Sequence, residues 1–411
     1  MFPKTKPSTS SAPSSQQPEP RVLLTGAYGF LGTHCVKKAI ESGFRVRGTV
    51  RNFSYEKQLR KALGIEQNDK NADKLELIKL DLEQSSQEEW SEAMKGCDYC
   101  LHLATPVVTT YVSNPDTVLK PAVQGTEKVL RACAKARVRR VIFCSSTSAI
   151  NAGHSWNKTH FTTKDWNAES PNGNEDKVFL YEKSKSLAEK QAFKVAAELD
   201  LDLISILPGS IWGPNILPRL SPCGEAIQRI CNREVPMMPV LSFNCVDVRD
   251  VADLMIQGLT VKLSDTSSPK TKKQQLNRRF LAVAPESMDM KVIANICKDE
   301  LGPYGWRPLT TFGPYAIFWL SSFFLEQAAF ILPNIERAYT YDVENTLETF
   351  SGSGFKKFRS VRQAVADMVH SMHDMKMLDP SRKSMLVAAV KMVCGDNECT
   401  RFVCPSRANG G

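Results

Sequence analysis

Tyr181 and Lys185 stand four residues apart in YEKSK, the spacing that puts two side chains on one face of a helix. A phenol is a weak acid at neutral pH, and an ammonium held beside it favours the phenolate, so the pair suits acid–base work. Ser146 ends the run RRVIFCSS and offers a hydroxyl that can hold a substrate oxygen against Tyr181. Upstream, TGAYGFLG spaces Gly26, Gly29 and Gly32 as a loop whose bare backbone can approach a pyrophosphate at the positive end of a helix. Glycine loop, then serine, then tyrosine and lysine is the order expected of a site that moves hydride between a dinucleotide and a substrate carbon.

The elements that must position these groups can be read from the hydrophobic pattern. RVLLTG, FRVRGTV, LELIKLDL, CDYCLHLA, RRVIFCSS and LDLISILPG read as short buried strands. GFLGTHCVKKAIESG, TVLKPAVQGTEKVLRACAKA and VFLYEKSKSLAEKQAFKVAAELD read as amphipathic helices between them. Strands alternating with helices of this length predict βαβ units, hence an α/β fold with a Rossmann-type doubly wound parallel sheet. The glycine loop follows the first strand and opens the first helix, where a pyrophosphate would sit.

At the end of the second strand, where an acid usually meets the ribose of NAD, the sequence has GTVRN. Arg51 can pair with a 2′-phosphate and stack on an adenine, and Lys57 can add a second positive charge, so NADP(H) is expected over NAD. Asp81, followed by Leu82 at the end of the third strand, is placed to accept from the adenine amino group; a turn or cap role is the plainer alternative.

The chain has 411 residues, 42% hydrophobic and 24% charged, which excludes wholesale disorder and multi-span membrane architecture. Its net charge of +9 comes in clusters, Arg131 to Arg140 and Lys262 to Arg279, which read as solvated faces rather than a nucleic-acid surface. Twelve cysteines without an apolar leader point to a reducing, cytoplasmic setting. Cys97 and Cys100 form a CxxC beside a strand, and Cys394, Cys399 and Cys404 are three where a structural zinc wants four, so no metal is assigned.

Residues 1–20 read as a flexible leader and 21–209 as the dinucleotide-binding domain, to which 246–262 and about 335–350 return. Residues 210–245 and 263–372 are expected to form a smaller C-terminal substrate-binding lobe, and 373–411 a loosely attached tail. YAIFWLSSFFLEQAAFIL is short for a span and contains Ser321, Ser322, Glu326 and Gln327, so a buried or interface-lying helix is expected over a membrane span.

Together these motifs resemble an extended short-chain dehydrogenase/reductase of the NAD-dependent epimerase/dehydratase superfamily over Arg21 to about Met372. HLATP, KPAVQGTEKVLRAC, PGSIWGP and VDVRDVA agree with it, and the set is closest to the dihydroflavonol, cinnamoyl-CoA and aldehyde/ketone reductase branch. The resemblance implies NADPH-dependent reduction of a ketone or aldehyde on a fairly apolar small molecule by a Ser146, Tyr181, Lys185 triad. It implies that Phe30, Leu31, Ala104, Thr105, Pro208 and Ser210 line the cofactor, and that Asn151 contacts substrate, with Trp212 a further pocket candidate. A monomer or a homodimer is expected. Two alternatives stay open: a membrane-associated 3β-hydroxysteroid-type dehydrogenase, and a scaffold that binds NADPH without turnover.

Overall fold

The computed structural model describes residues 19–65, 71–105, 114–167, 180–234, 237–263, 270–323, 332 and 335–382. The first half alternates strand and helix: β1 (Arg21–Leu24), α1 (Phe30–Glu41), β2 (Arg45–Val50), α2 (Glu56–Leu63), β3 (Leu75–Lys79), α3 (Gln87–Met94), β4 (Tyr99–His102), α4 (Asp116–Ala136), β5 (Arg140–Cys144), β6 (His160–Phe161) and α5 (Leu180–Glu198). There follow β7 (Leu203–Pro208), β8 (Ser210–Trp212), α6 (Pro222–Asn232), β9 (Ser242–Asp247), α7 (Val248–Gly258), α8 (Lys272–Leu276), β10 (Arg279–Ala282), β11 (Ser287–Asp289), α9 (Met290–Leu301), α10 (Tyr315–Ser321), β12 (Thr340–Tyr341), α11 (Glu344–Ser351) and α12 (Val361–Asp374).

The long apolar runs become a seven-stranded parallel sheet ordered β10-β7-β5-β4-β1-β2-β3. Strands buried on both faces need continuous apolar sequence: β5 and β7 are buried at every position, as RVIFC and LISILP foretell. The order reverses between β1 and β4, the switch point where an open α/β sheet binds its ligand beyond the strands' carboxyl ends.

On one face α3, α4 and α5 cover the sheet through a cluster that includes Leu23, Trp90, Val129, Val141 and Phe193. On the other, α1 and α7 share a core that continues through Trp212 and Ile227 to Ile293, Trp306 and Met368 in the second lobe. That lobe, built on the small sheet β11-β9-β8, therefore extends the first lobe's core.

Two details differ from the sequence reading. β10 falls within 263–372, the stretch expected to form the second lobe, yet it pairs with β7 at the edge of the main sheet. Its RFLA is only four residues long and is preceded by charged sequence, so it carries no strand signal strong enough to separate it from a loop. For 315–332 the sequence favoured a buried or interface-lying helix over a span, and burial does not hold for the described part: Tyr315, Ile317, Trp319, Leu320 and Phe323 are 44–63% exposed. Among the described residues no helix is long and apolar enough to cross a membrane. The leader up to Pro18 and the tail beyond Arg382, with its three cysteines, lie outside the described residues.

The basic clusters are put to structural use. Arg140 pairs with Asp202 at 2.8 Å and donates to the carbonyls of Gly258 and Val261; Arg278 also pairs with Asp202. Both arginines are buried, so part of the +9 charge serves internal ion pairs rather than a solvated face.

Candidate active site

The turn from β1 into α1 is built around backbone that a side chain would obstruct. Gly26 has φ +77°, and a Cβ on Gly32 would lie 2.1 Å from the Gly26 carbonyl oxygen, so only glycine lets the helix start this close to the loop. Gly29 is the exposed N-cap of α1 and no acidic residue occupies the first turn, so the helix's unpaired N–H groups face outward without a competing carboxylate. Phe30 and Leu31 open that turn, half-buried. Thr49 Oγ1 accepts from Gly26 N at 3.1 Å, and the Thr49 carbonyl accepts from Ala27 N at 3.0 Å, locking the loop to β2.

Arg51 directly follows β2, exposed, as is Lys57, and neither makes an ion pair among the described residues. Asp81 and Leu82 lie in the turn after β3 rather than within it. Asp81 Oδ1 accepts from Glu83 N and Gln84 N at 2.8 and 3.1 Å, the local turn role that the sequence left open, while Leu82 packs over Gly125 of α4. Ala104 closes the floor of the loop, its Cβ 3.4 Å from where a Gly26 Cβ would be. Thr105 is half-buried beside it, and Pro106 lies outside the described residues. Pro208 ends β7 and Ser210 starts β8, so both border the carboxyl edge of the sheet.

Behind the glycine loop lies a chain of hydrogen bonds that the sequence reading missed. Thr25 Oγ1 accepts from Leu103 N and Ala104 N at 2.9 and 2.8 Å, which leaves its proton for His102 Nδ1 at 3.1 Å. His102 Nε2 then donates to Thr126 Oγ1 at 3.3 Å, and that hydroxyl donates to the Ala122 carbonyl. Each proton has one destination, which fixes a neutral Nε2–H imidazole. Burial, reinforced by the charge of Lys185, pushes the His102 pKa down to about 3.

The three residues expected to form the triad arrive from two elements. Ser146 is the first residue beyond Ser145 at the carboxyl end of β5 and caps the short turn Thr147–Ala149; its Oγ accepts from Ser148 N at 3.1 Å. That contact leaves the serine proton available to an oxygen in the site. Tyr181 lies in the first turn of α5, half-buried. Lys185, one turn on, is 4% exposed; its Nζ lies 5.9 Å from the Tyr181 ring centroid and donates to the Cys144 carbonyl at 3.4 Å. The ammonium therefore bridges the tyrosine and the strand that ends beside Ser146.

A buried ion pair holds this corner. Glu189 continues the Lys185 face of α5, and its carboxylate accepts from Arg279 Nε at 2.9 Å, Arg279 Nη2 at 3.0 Å, Ser145 Oγ at 2.9 Å and Ser205 Oγ at 2.6 Å. Arg279 also donates to the Thr163 and Asp165 carbonyls and stacks over Trp166 at 3.9 Å. Both charges are 0% exposed and richly hydrogen-bonded, the condition under which a buried pair is tolerated. The sequence marks were weak: a charged residue four positions past Lys185, and an arginine that closes a basic cluster ahead of the short run FLA.

The two substrate candidates fare differently. Asn151 is half-buried, and its Nδ2 donates at 2.9 Å to the hydroxyl of Tyr341, brought in by β12. Trp212 is fully buried edge-on against Phe243, so its indole packs the core and does not line an open pocket. An indole in an apolar stretch carries no sequence mark that separates these two uses. Among the described residues no group of three His, Cys, Asp or Glu side chains could hold a metal. Cys97 and Cys100 are buried thiols, and burial pushes Cys97 up to about 11, away from a redox-active thiolate.

The chain is 32% identical over 208 residues to dihydroflavonol 4-reductase of Callistephus chinensis, covering 49% of this chain and 55% of the relative. It is 33% identical over 208 residues to tetraketide alpha-pyrone reductase 1 of Arabidopsis thaliana, covering 50% and 61%. The matched region is thus only about half the length of such relatives. Among solved structures, the fold resembles yeast methylglyoxal/isovaleraldehyde reductase Gre2 complexed with NADPH, with a TM-score of 0.65 and 19% identity over 87% of this chain and 99% of that one. It also resembles vestitone reductase from alfalfa, with a TM-score of 0.61 and 20% identity over 87% and 99%. The NAD dependent epimerase/dehydratase family pattern spans residues 22–265, and the chain belongs to that family.

Proposed function

We propose that the protein is an NADPH-dependent reductase that converts a ketone or aldehyde on a fairly apolar small molecule to the alcohol. The observation that carries this reading is the buried Lys185 ammonium, set between the Tyr181 ring and the strand end that presents Ser146. The family relation and the reductase names of the relatives support it. Gly26, Gly29 and Gly32 suit a pyrophosphate loop because a Cβ at Gly29 or Gly32 would press on the Gly26 carbonyl oxygen, at 3.2 and 2.1 Å, and Arg51 and Lys57, which make no ion pair among the described residues, suit a 2′-phosphate.

The loop of Gly26, Gly29 and Gly32, with Arg51 and Lys57, would hold NADPH, which would supply the hydride for the carbonyl carbon. The protein's own part is to hold and protonate the oxygen. Ser146 holds the substrate oxygen by donating a hydrogen bond to it and keeps its proton, and Tyr181 transfers the one proton that completes the alcohol. Lys185 stabilises the negative charge that grows on the phenol oxygen as its proton leaves. Tyr181→Phe should abolish carbonyl-dependent NADPH oxidation while leaving NADPH binding, read by its fluorescence, nearly unchanged. Retention of most activity would remove Tyr181 from the role. A screen of aldehydes, α-diketones, flavonoids and keto-steroids would define the substrate class.

One observation favours a second reading, a membrane-associated sterol-type dehydrogenase: the exposed aromatic and aliphatic side chains of α10. Arg51 opposes it, because such an enzyme would prefer NAD. Recovery of the protein in carbonate-washed membranes would support it, and a soluble pool would count against it.

A further inference from the structure

Asn167 is 7% exposed, and its side chain bonds three backbone groups from two segments of the chain. Its Nδ2 donates to the Ser148 carbonyl at 2.8 Å and to the Glu182 carbonyl at 3.1 Å, while its Oδ1 accepts from Ala152 N at 3.0 Å. Its own backbone N donates to the Ala149 carbonyl at 3.0 Å. Ser148 lies two residues after Ser146, Glu182 is the residue after Tyr181, and Ala152 is the residue after Asn151. The side-chain orientation follows from the partners, since two carbonyls require the amide NH2 and one N–H requires the amide oxygen. Glutamine is a methylene too long for the same three contacts, and aspartate has the acceptor but not the two donors.

We infer that Asn167 is a positioning residue for the proposed reaction: it sets the distance between the Ser146 turn and the Tyr181 end of α5 without itself touching substrate. This rests on the reductase reading above, because only there must the two hydroxyls converge on one oxygen. Ser146 is fixed to β5, whereas Tyr181 sits in the first turn of its helix, where the backbone N–H groups lack intrahelical acceptors and the end frays most easily. Misplacement of a catalytic group by about 1 Å can lower turnover about 100-fold, so a single amide linking the two segments has leverage over the rate.

The test uses the full chain and its Asn167→Leu and Asn167→Asp variants. Hydrogen–deuterium exchange is followed across 146–152 and 180–186, alongside NADPH binding and NADPH oxidation with diacetyl or the best substrate of the carbonyl screen. In Asn167→Leu both segments should lose protection together while β1 to β4 keep theirs. NADPH affinity should stay within about threefold, and kcat should fall roughly 100-fold with a smaller change in KM. In Asn167→Asp a carboxylate would face two carbonyl oxygens at neutral pH, whereas its protonated form restores one donor. Its kcat relative to wild type should therefore rise as pH is lowered, a signature that loss of packing would not give. Unchanged protection in either segment overturns the tie, and kcat within twofold of wild type in a folded variant overturns the positioning role. If wild type oxidises NADPH with none of the carbonyls, the reductase reading fails, and the exchange data still decide whether Asn167 joins the two segments.

Discussion

Arg279→Met removes one half of the buried Glu189–Arg279 pair, and the structure sets the size of the loss. Glu189 keeps the Ser145 and Ser205 hydroxyls but loses two guanidinium donors at 2.9 and 3.0 Å, with no water available to replace them at 0% exposure. Breaking such a pair costs about 3–5 kcal/mol, because a charge remains buried without its counter-ion. The half-buried Thr163 and Asp165 carbonyls lose their donor as well, at less than the about 1–3 kcal/mol of a fully buried unpaired group because solvent can reach them. Against a typical total stability of about 5–15 kcal/mol, the substitution should leave the chain barely folded at 37 °C. Glu189→Gln keeps the side chain's shape and an acceptor for the hydroxyls, so it should be milder. The double variant should cost less than the two single losses taken together, with a coupling of about 1.5–7 kcal/mol, the range measured for close charge pairs. Urea unfolding followed by tryptophan fluorescence and circular dichroism gives all three values. A loss below about 1 kcal/mol for Arg279→Met, or additive losses in the double variant, would refute the argument that this pair anchors the corner.

Three further outcomes follow from the same geometry. Gly32→Ala puts a methyl 2.1 Å from the Gly26 carbonyl oxygen, so the loop must move; NADPH affinity should fall at least about 100-fold, and isothermal titration near wild-type affinity would contradict the cradle. Arg51→Asp should weaken NADPH far more than NADH, read as the ratio of the two dissociation constants, and an equal loss for both would remove the 2′-phosphate contact. His102 and His34 are pushed by burial to about 3 and about 4, below the ordinary 6.5, so the unfolded chain takes up their protons first. Their contribution to stability is intact above pH 6.5 and is lost as pH falls toward 3–4, at up to about 1.4 kcal/mol per pH unit for each. His102→Gln should flatten that part of the wild-type stability profile, and an unchanged slope between pH 6.5 and 3 would show that this imidazole does not stay neutral.

The features legible in the sequence were those whose chemistry depends on residue type and local spacing. The glycine spacing announced a turn, which Gly26 with φ +77° and Gly32 with no room for a Cβ require, and Tyr181 and Lys185 announced a shared helix face because the period of the helix is fixed. Alternation of strand and helix gave the parallel sheet for the same reason. The legible signals were local, readable within a dozen residues.

What escaped was long-range. Asn167 reads as a loop residue, yet its amide spans fifteen positions to reach the Glu182 carbonyl. Arg279 reads as part of a basic cluster, yet it lies ninety positions from Glu189 and is paired with it in the interior. Trp212 looks like a pocket residue and is core, and Asn151 is held by a tyrosine 190 positions away. Each of these side chains has several chemically reasonable roles, and the choice among them is made by whichever backbone or charge the fold carries to it. This places the division of labour in physical terms: the residues that would do the chemistry are marked by type, because chemistry demands a phenol, an ammonium and a hydroxyl. The residues that hold them in register are marked only by burial with satisfied polar groups, which exists once the chain has folded. Substitutions at Asn167, Glu189 or Arg279 should therefore alter rate or stability although none of them belongs to the proposed triad.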